Sequence, residues 1–200
     1  MKTTEQPRED ASALLEAAAV LLEGAEGSLL TTSLNKALFY LDLLALRETG
    51  KTVTGETYVA LKAGPVIESY RARLISELER NNIAMQDDDN PSYMPVVLLH
   101  PVKPKHLDDA VLKIAKDVGR WAKSKQAIEL SNFSHENMAW QIAWNGGAGQ
   151  GTKIDLRIAM QQLMDGDPWM SKSDPWMSES MTSEEKAAFD DADDDKAEAW

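Results

Sequence analysis

The chain contains no cysteine among its 200 residues, which excludes disulfides, thiol nucleophiles and thiolate metal ligands together. Histidine is scarce as well: the three are His100, His106 and His135, and no two of them are one helical turn apart. A zinc site would have to recruit carboxylates from distant parts of the chain, so the sequence predicts no metal and no other cofactor. A G-x-S-x-G nucleophile motif is also missing. These absences argue against an enzyme.

Long apolar runs are lacking too. The first ten residues are polar and have no apolar segment of the kind found in a signal peptide. No stretch approaches the ~20 apolar residues that a membrane span needs. The sequence therefore predicts a cytoplasmic protein with no membrane partner and with a flexible N-terminus over residues 1–9.

Negative charge is abundant but unevenly distributed. Residues 165–200 carry 12 acidic and 3 basic side chains, a net charge of −9 out of −12 for the whole chain. The remaining body is nearly neutral, so neither part has the basic field that nucleic-acid binding normally requires. We expect a folded domain over residues 10–164 and an acidic interaction tail over residues 165–200. The composition of the tail predicts disorder in isolation.

The body is predominantly helical by its apolar spacing. The pattern predicts a mainly α (α+β) fold, a compact domain of about six to seven helices with a small β-hairpin. A threonine or serine of residues 31–33 is expected to cap the second helix, and Ile154 and Ile158 are expected to point inward. The helices are predicted at 11–23, 33–49, 65–80, 105–122, 124–132, 135–144 and 154–164, and the hairpin at 83–99.

Three local features allow alternative interpretations. Gly64-Pro65 places a proline near the first turn of the third helix. That helix, followed by the hairpin, resembles a winged-helix unit and leaves a DNA-binding transcriptional regulator as one alternative, although the acidic hairpin loop would repel phosphate. Ser134 is a plausible N-cap for a helix opened by His135 and Glu136. A hydrolase that uses His135 as a general base oriented by Glu136 is the other alternative.

Glycines at 146, 147, 149 and 151 follow a helix rather than a strand, so residues 145–151 are interpreted as a flexible connection instead of a phosphate-binding loop. Just before them, Trp140 and Trp144 are one helical turn apart and share a face, which is typical of core residues.

Three further tryptophans lie in the acidic tail: Trp169, Trp176 and Trp200. Trp169 and Trp176 belong to two copies of Asp-Pro-Trp-Met-Ser that are seven residues apart. A tail this acidic cannot bury these rings within itself, and tryptophan is a frequent anchor at protein interfaces. The tail is therefore a candidate for contact with a partner protein, and docking of Trp169 and Trp176 on the body is an equal alternative.

Several motifs appear in the order of a known family. Residues 34–42, Leu-Asn-Lys-Ala-Leu-Phe-Tyr-Leu-Asp, are similar to an L-N-K-x-L-Y-x-x-D opening. Further matches are Arg-Glu-Thr-Gly at 47–50, Thr-Gly at 54–55, Tyr-Val-Ala-Leu at 58–61, Gly-Pro-Val at 64–66, and Leu-Ser-Asn-Phe-Ser-His-Glu at 130–136 with a tryptophan at 140. Over roughly residues 10–160 the chain resembles the Panacea domain, also described as the SocA-type antitoxin domain.

This resemblance implies an antitoxin of a toxin–antitoxin pair, found in bacteria, phages and prophages, with no enzymatic activity. Such proteins bind a cognate toxin directly and block its action. The toxins of the family include alarmone-synthetase-like enzymes that stop translation and membrane-active peptides. The resemblance also implies a set of residues with a structural or toxin-contacting role: Asn35, Lys36, Tyr40, Asp42, Gly55, Tyr58, Gly64, Pro65, His135, Glu136 and Trp140.

Overall fold

The computed structural model describes residues 12–87 and 94–165, and the side chains among them up to residue 162. The predicted flexible N-terminus (1–9) and the candidate toxin-binding residues Trp169, Trp176 and Trp200 lie outside the described residues. Within them, the fold is mainly α with a small β element, as predicted. The helices are α1 (Ala13–Gly24), α2 (Thr31–Thr49), α3 (Ser76–Arg80), α4 (Asp109–Ser124), α5 (Ala127–His135), α6 (Met138–Trp144) and α7 (Leu156–Asp165).

Five short strands form two antiparallel sheets: β1 (Ser28–Leu30), β2 (Tyr58–Leu61), β3 (Gly64–Ile67), β4 (Ala84–Gln86) and β5 (Pro95–Leu98). The first sheet has the order β1-β5-β4, with Ser28 opposite Val97 and Met85 also opposite Val97. It contains the predicted hairpin, and β1 was not expected. The second sheet is the β2–β3 hairpin, in which Tyr58 lies opposite Ile67.

Helix α2 is the centre of the fold and packs against α1, α4, α5, α7 and β3. It is buried from Thr31 to Ala45 and ends at Gly50, whose φ of 74° provides the left-handed cap. The expected side-chain cap at its start is wrong, because Leu30 at the N-cap comes directly from β1. Thr31 instead donates its hydroxyl to the Met94 carbonyl at 3.0 Å and fastens α2 to the neighbouring sheet.

Gly64-Pro65 does not begin a helix, and this prediction is wrong. Both residues belong to β3, and the following helix begins only at Arg71 with one π-helical turn before α3. Proline is tolerated in β3 because Ala60, the residue opposite Pro65, directs its own backbone groups to the other side. There Ala60 accepts from Gly151 at 2.8 Å and donates to the Thr152 carbonyl at 2.9 Å.

The same two bonds revise the interpretation of residues 145–151 as a flexible connection. Asn145–Gly147 form a 3-10 turn, and the Gly149 N–H donates to the Trp144 carbonyl at 3.0 Å. The next residues run beside β2, where the Ile154 N–H donates to the Tyr58 carbonyl at 2.8 Å. The glycine-rich segment is thus bonded at both of its ends to regular structure.

The helix boundary near His135 also differs from the prediction. His135 lies in the last turn of α5 and Glu136 is its C-cap, so neither opens a helix. Asn137 caps α6 instead, with its side-chain oxygen accepting from the N–H groups of Ala139 (3.1 Å) and Trp140 (3.3 Å). Ser134, the expected cap, donates its hydroxyl to the Ser131 carbonyl at 2.7 Å.

Helix α7 begins at Leu156, two residues later than predicted, and this changes which side chains it buries. Ile154 is buried as expected, whereas Ile158 is 39% exposed and Ala159 is fully buried in its place. The inward orientation of Ile158 was therefore wrong.

Candidate functional site

The family-motif residues on α2 include three polar side chains that are fully buried, Asn35, Lys36 and Asp42. A buried polar group costs free energy unless it is hydrogen-bonded, so each needs a partner inside the fold. All three find partners on the segment that runs from the end of α2 through the β2–β3 hairpin.

Asp42 binds the loop that precedes β2. Its Oδ1 accepts from the backbone N–H groups of Val53 at 2.7 Å and Thr54 at 2.9 Å. Its Oδ2 accepts from the Thr54 hydroxyl at 2.5 Å and from the Tyr58 hydroxyl at 2.9 Å. One carboxylate therefore sets the course of this loop and the start of β2.

Burial dominates the electrostatics of this cluster. It raises the pKa of the Asp42 carboxyl, and the hydrogen bonds from Thr54, Tyr58 and Val53 oppose that rise. Burial, and then the charge of Asp42, raise the pKa of the Tyr58 phenol well above its usual value. Tyr58 thus remains a hydrogen-bond donor to Asp42 at neutral pH and is not a candidate base.

Asn35 and Lys36 hold the other strand of the hairpin. The Asn35 amide donates to the Thr31 carbonyl at 3.1 Å and accepts from the Ile67 N–H at 3.2 Å. The Lys36 ammonium donates to the Pro65 carbonyl at 3.1 Å. The two neighbouring residues of α2 therefore contact both ends of β3.

Three alternate carbonyls along residues 61–65 are each bound by a side chain from a different helix. Trp140 of α6 donates its indole N–H to Leu61 at 3.1 Å, and Ser131 of α5 donates its hydroxyl to Ala63 at 2.7 Å. Lys36 of α2 binds the third, as described above. We call this segment, residues 61–65, the clamped turn. It ties α2, α5 and α6 to the β2–β3 hairpin.

Gly64 is the fourth residue of the clamped turn and has a φ of 102°, a conformation that disfavours any other residue. A Cβ at this position would overlap the Ser134 hydroxyl and approach Lys36 Cε to 2.9 Å. Gly55, the other motif glycine, has a φ of 68° but nothing within 4 Å of such a Cβ. Gly64 is therefore required for close packing as well as for the turn.

His135 lies flat against Trp140, with ring centroids 4.2 Å apart and planes 18° apart, and Trp140 stacks in turn on Trp144 at 5.6 Å. Trp140 is buried, in agreement with the core interpretation, whereas Glu136 is exposed. His135 therefore packs against Trp140, whose indole N–H binds the clamped turn.

Tyr40 is 1% exposed and belongs to an aromatic cluster with Phe39, Trp121 and Phe133, in which its ring centroid is 4.8–5.4 Å from the others. Its role is core packing. Ser131, by contrast, was missed as a site residue by sequence reasoning, although it lies inside the Leu130–Glu136 motif. A serine within an apolar helix face, one position after a buried leucine, was the available signal.

The described residues contain no group of three or more acidic or histidine side chains placed to hold a metal ion. Nor does any helix in those parts of the chain have the length and apolar character to cross a bilayer.

A family model for the antitoxin SocA-like, Panacea domain matches residues 34–141. The chain belongs to this family. No curated protein and no solved structure matches it. The matched segment begins at the start of the polar series on α2 and ends one residue after Trp140, so every side-chain bond of the clamped turn joins residues within the Panacea domain.

Proposed function

We propose that this Panacea-domain protein is the antitoxin of a toxin–antitoxin pair and neutralises its cognate protein toxin by direct stoichiometric binding. Membership of an antitoxin-like family carries the proposal. The geometry supports it, because Asn35, Lys36, Asp42 and Trp140 make hydrogen bonds to the protein's own backbone. Groups used in this way build a scaffold and are poorly placed to act on a substrate.

In this proposal the folded domain, residues 10–164, binds the toxin, and the acidic tail, residues 165–200, makes a second contact. A toxin with a basic nucleotide or RNA site, such as an alarmone-synthetase-like enzyme or another translation-targeting toxin, suits such a tail. Carboxylates would face its lysines and arginines, and Trp169, Trp176 and Trp200 would supply apolar anchors.

The test of the antitoxin role is growth rescue. The neighbouring open reading frame is expressed from an inducible promoter, alone and together with this protein. We expect growth arrest by the neighbour alone and recovery on co-expression, with the two proteins co-purifying. Arrest that persists at equal expression of both proteins would contradict the proposal. A variant ending at residue 165 tests the tail, and full rescue by that variant would remove the tail from the toxin interface.

His135→Phe separates binding from hydrolysis. Phenylalanine keeps a flat ring against Trp140 but has no group that can accept or donate a proton. We expect rescue to persist, with the same melting temperature to within a few degrees. Loss of rescue with an unchanged melting temperature and unchanged co-purification would favour the hydrolase.

A further inference from the structure

Two neighbouring helices leave large apolar side chains in solvent. Met138 and Ile142 of α6 are 53% and 61% exposed, and Ile158 of α7 is 39% exposed. We call these three residues the α6–α7 face. Among the described residues, the other large apolar side chains with comparable exposure are Met85 and Leu99, which lie on and beside the β1-β5-β4 sheet. Among the described helices, the most exposed large apolar side chains are therefore those of α6 and α7.

The three side chains lie on faces that hydrogen bonds hold together. The Met138 N–H donates to the Gln162 side chain at 2.5 Å, and the Gln162 amide donates to the Glu136 carbonyl at 2.7 Å. Ile158 is one helical turn before Gln162, and Ile142 is one turn after Met138. Met138 therefore lies where the start of α6 meets α7, and Ile142 and Ile158 each lie one helical turn from this contact.

The chain itself supplies apolar groups directly beyond this point. Helix α7 ends at Asp165, and the two Trp-Met pairs of the Asp-Pro-Trp-Met repeats follow at 169–170 and 176–177. Their surroundings in the sequence are mostly polar and acidic, so an exposed apolar surface of the folded domain is a favourable contact for these rings and thioethers. Tryptophan and methionine combine large apolar area with favourable sulfur–aromatic contacts.

The chain between α7 and the tryptophans is long enough to allow this contact. Ile158 precedes Asp165 by seven residues, which is about 10 Å along a helix. Trp169 follows Asp165 by four positions and Trp176 follows it by eleven, and these segments span up to ~14 Å and ~37 Å when extended. Both pairs can therefore return to the face. A tether of this length gives an effective concentration in the millimolar range, so even a weak contact would be populated.

We propose that in the free protein the Trp-Met pairs of residues 167–177 lie on the α6–α7 face of the same molecule. The rings cover Met138, Ile142 and Ile158, and the aspartate before each proline remains in water. The proposal concerns the free chain and stands independently of the toxin. If the tail also contacts the toxin, the two contacts use the same tryptophans and exclude each other.

The missing cysteines make a direct test possible in the full chain. Ser173→Cys introduces a single thiol between the two Trp-Met pairs, and a nitroxide spin label is attached there. Methyl NMR signals of methionine and isoleucine are then compared with the label oxidised and reduced. We expect strong attenuation at Met138, Ile142 and Ile158, and little at Met85, which serves as the exposed apolar control. Trp169→Ala combined with Trp176→Ala should restore the attenuated signals at least twofold.

Two results would overturn the proposal. One is full signal intensity at Ile142 and Ile158 in the labelled wild-type chain. The other is attenuation that appears when spin-labelled, isotopically unlabelled protein is mixed with isotope-labelled, spin-free protein, because the tail would then occupy a second copy. Neither result depends on toxin neutralisation, so failure of this proposal is distinguishable from failure of the antitoxin role.

Discussion

Single buried polar residues determine the path of the segment between α2 and β3. Asp42 shows this most clearly, because its carboxylate receives four hydrogen bonds while being removed from water. Burial raises its pKa despite these bonds, so the folded protein holds the Asp42 proton up to a higher pH than the unfolded chain does. The contribution of this group to the free energy of unfolding is therefore greatest at low pH.

Asp42→Asn should reveal this pH dependence. The contribution is fully present below the unfolded pKa of about 4 and is lost as the pH rises through the raised folded pKa. We expect the free energy of unfolding of the wild type, minus that of Asp42→Asn, to fall across this window and then to level off. Urea unfolding of both proteins at several pH values measures the difference, and other carboxylates cancel in it. A difference that increases with pH would contradict the assignment.

Gly64→Ala should destabilise the protein through the clamped turn. The positive φ and the overlap with the Ser134 hydroxyl together predict a loss of about 2–5 kcal/mol in the free energy of unfolding. Gly55→Ala is the matched control, because its φ is also positive but its surroundings are open, and it should lose about 1–2 kcal/mol. Equal losses in urea unfolding would show that the Ser134 and Lys36 contacts do not constrain Gly64.

At the scale of elements, α1 and α4 pack so closely that each contributes a glycine to the contact. A Cβ at Gly119 would overlap the Leu21 carbonyl, and a Cβ at Gly24 would approach the Lys116 Cα to 2.9 Å. Backbone therefore lies against backbone at this crossing. Separation of the two helices would expose the buried side chains of α1 to water.

Gly119→Ala should lower stability even though alanine favours a helix by about 1 kcal/mol. The overlap at the crossing is expected to outweigh that gain and leave a net loss of up to about 2 kcal/mol. The neighbouring exposed residue provides the control, since Arg120→Ala should change stability by no more than about 0.5 kcal/mol. Thermal unfolding of both variants measures this, and a raised melting temperature for Gly119→Ala would show that the crossing has room.

The accuracy of the sequence-based prediction also varied by element. Helices α1 and α2 were predicted well because their apolar spacing extends over several turns. β1 was missed because three residues carry no detectable period and its partner Val97 lies far away in the chain. Gly64-Pro65 was misassigned because a proline at a helix start and a proline in an edge strand look alike locally. The bonds from Asn35 and Lys36 that decide between them join distant residues.

The candidate site was predictable only in part, for a similar reason. Asn35, Lys36 and Asp42 were singled out by the family resemblance, whereas the residue types alone suggest an exposed helix face. Their burial follows from the packing of the β2–β3 hairpin on α2, which a helix period cannot reveal. The donor role of Ser131 likewise depends on where the Ala63 carbonyl lies.

At the scale of the whole molecule, buried polar groups and net charge are found in different parts of the chain. The polar groups of the Panacea domain hold its own backbone, while most of the net charge of −12 belongs to residues 165–200. The proposed antitoxin role implies that this protein acts by occupying the surface of its toxin. Neutralisation should therefore consume antitoxin and toxin in a fixed molar ratio.

Titration of the purified toxin with this protein tests that claim most directly. The toxin is the product of the neighbouring open reading frame that arrests growth when expressed alone, and its residual activity is measured against the molar ratio of the two proteins. We predict a linear fall that ends at a fixed ratio of small integers, with the complex present by light scattering. Full inactivation by a small fraction of one equivalent, with no complex formed, would contradict direct binding and indicate catalysis.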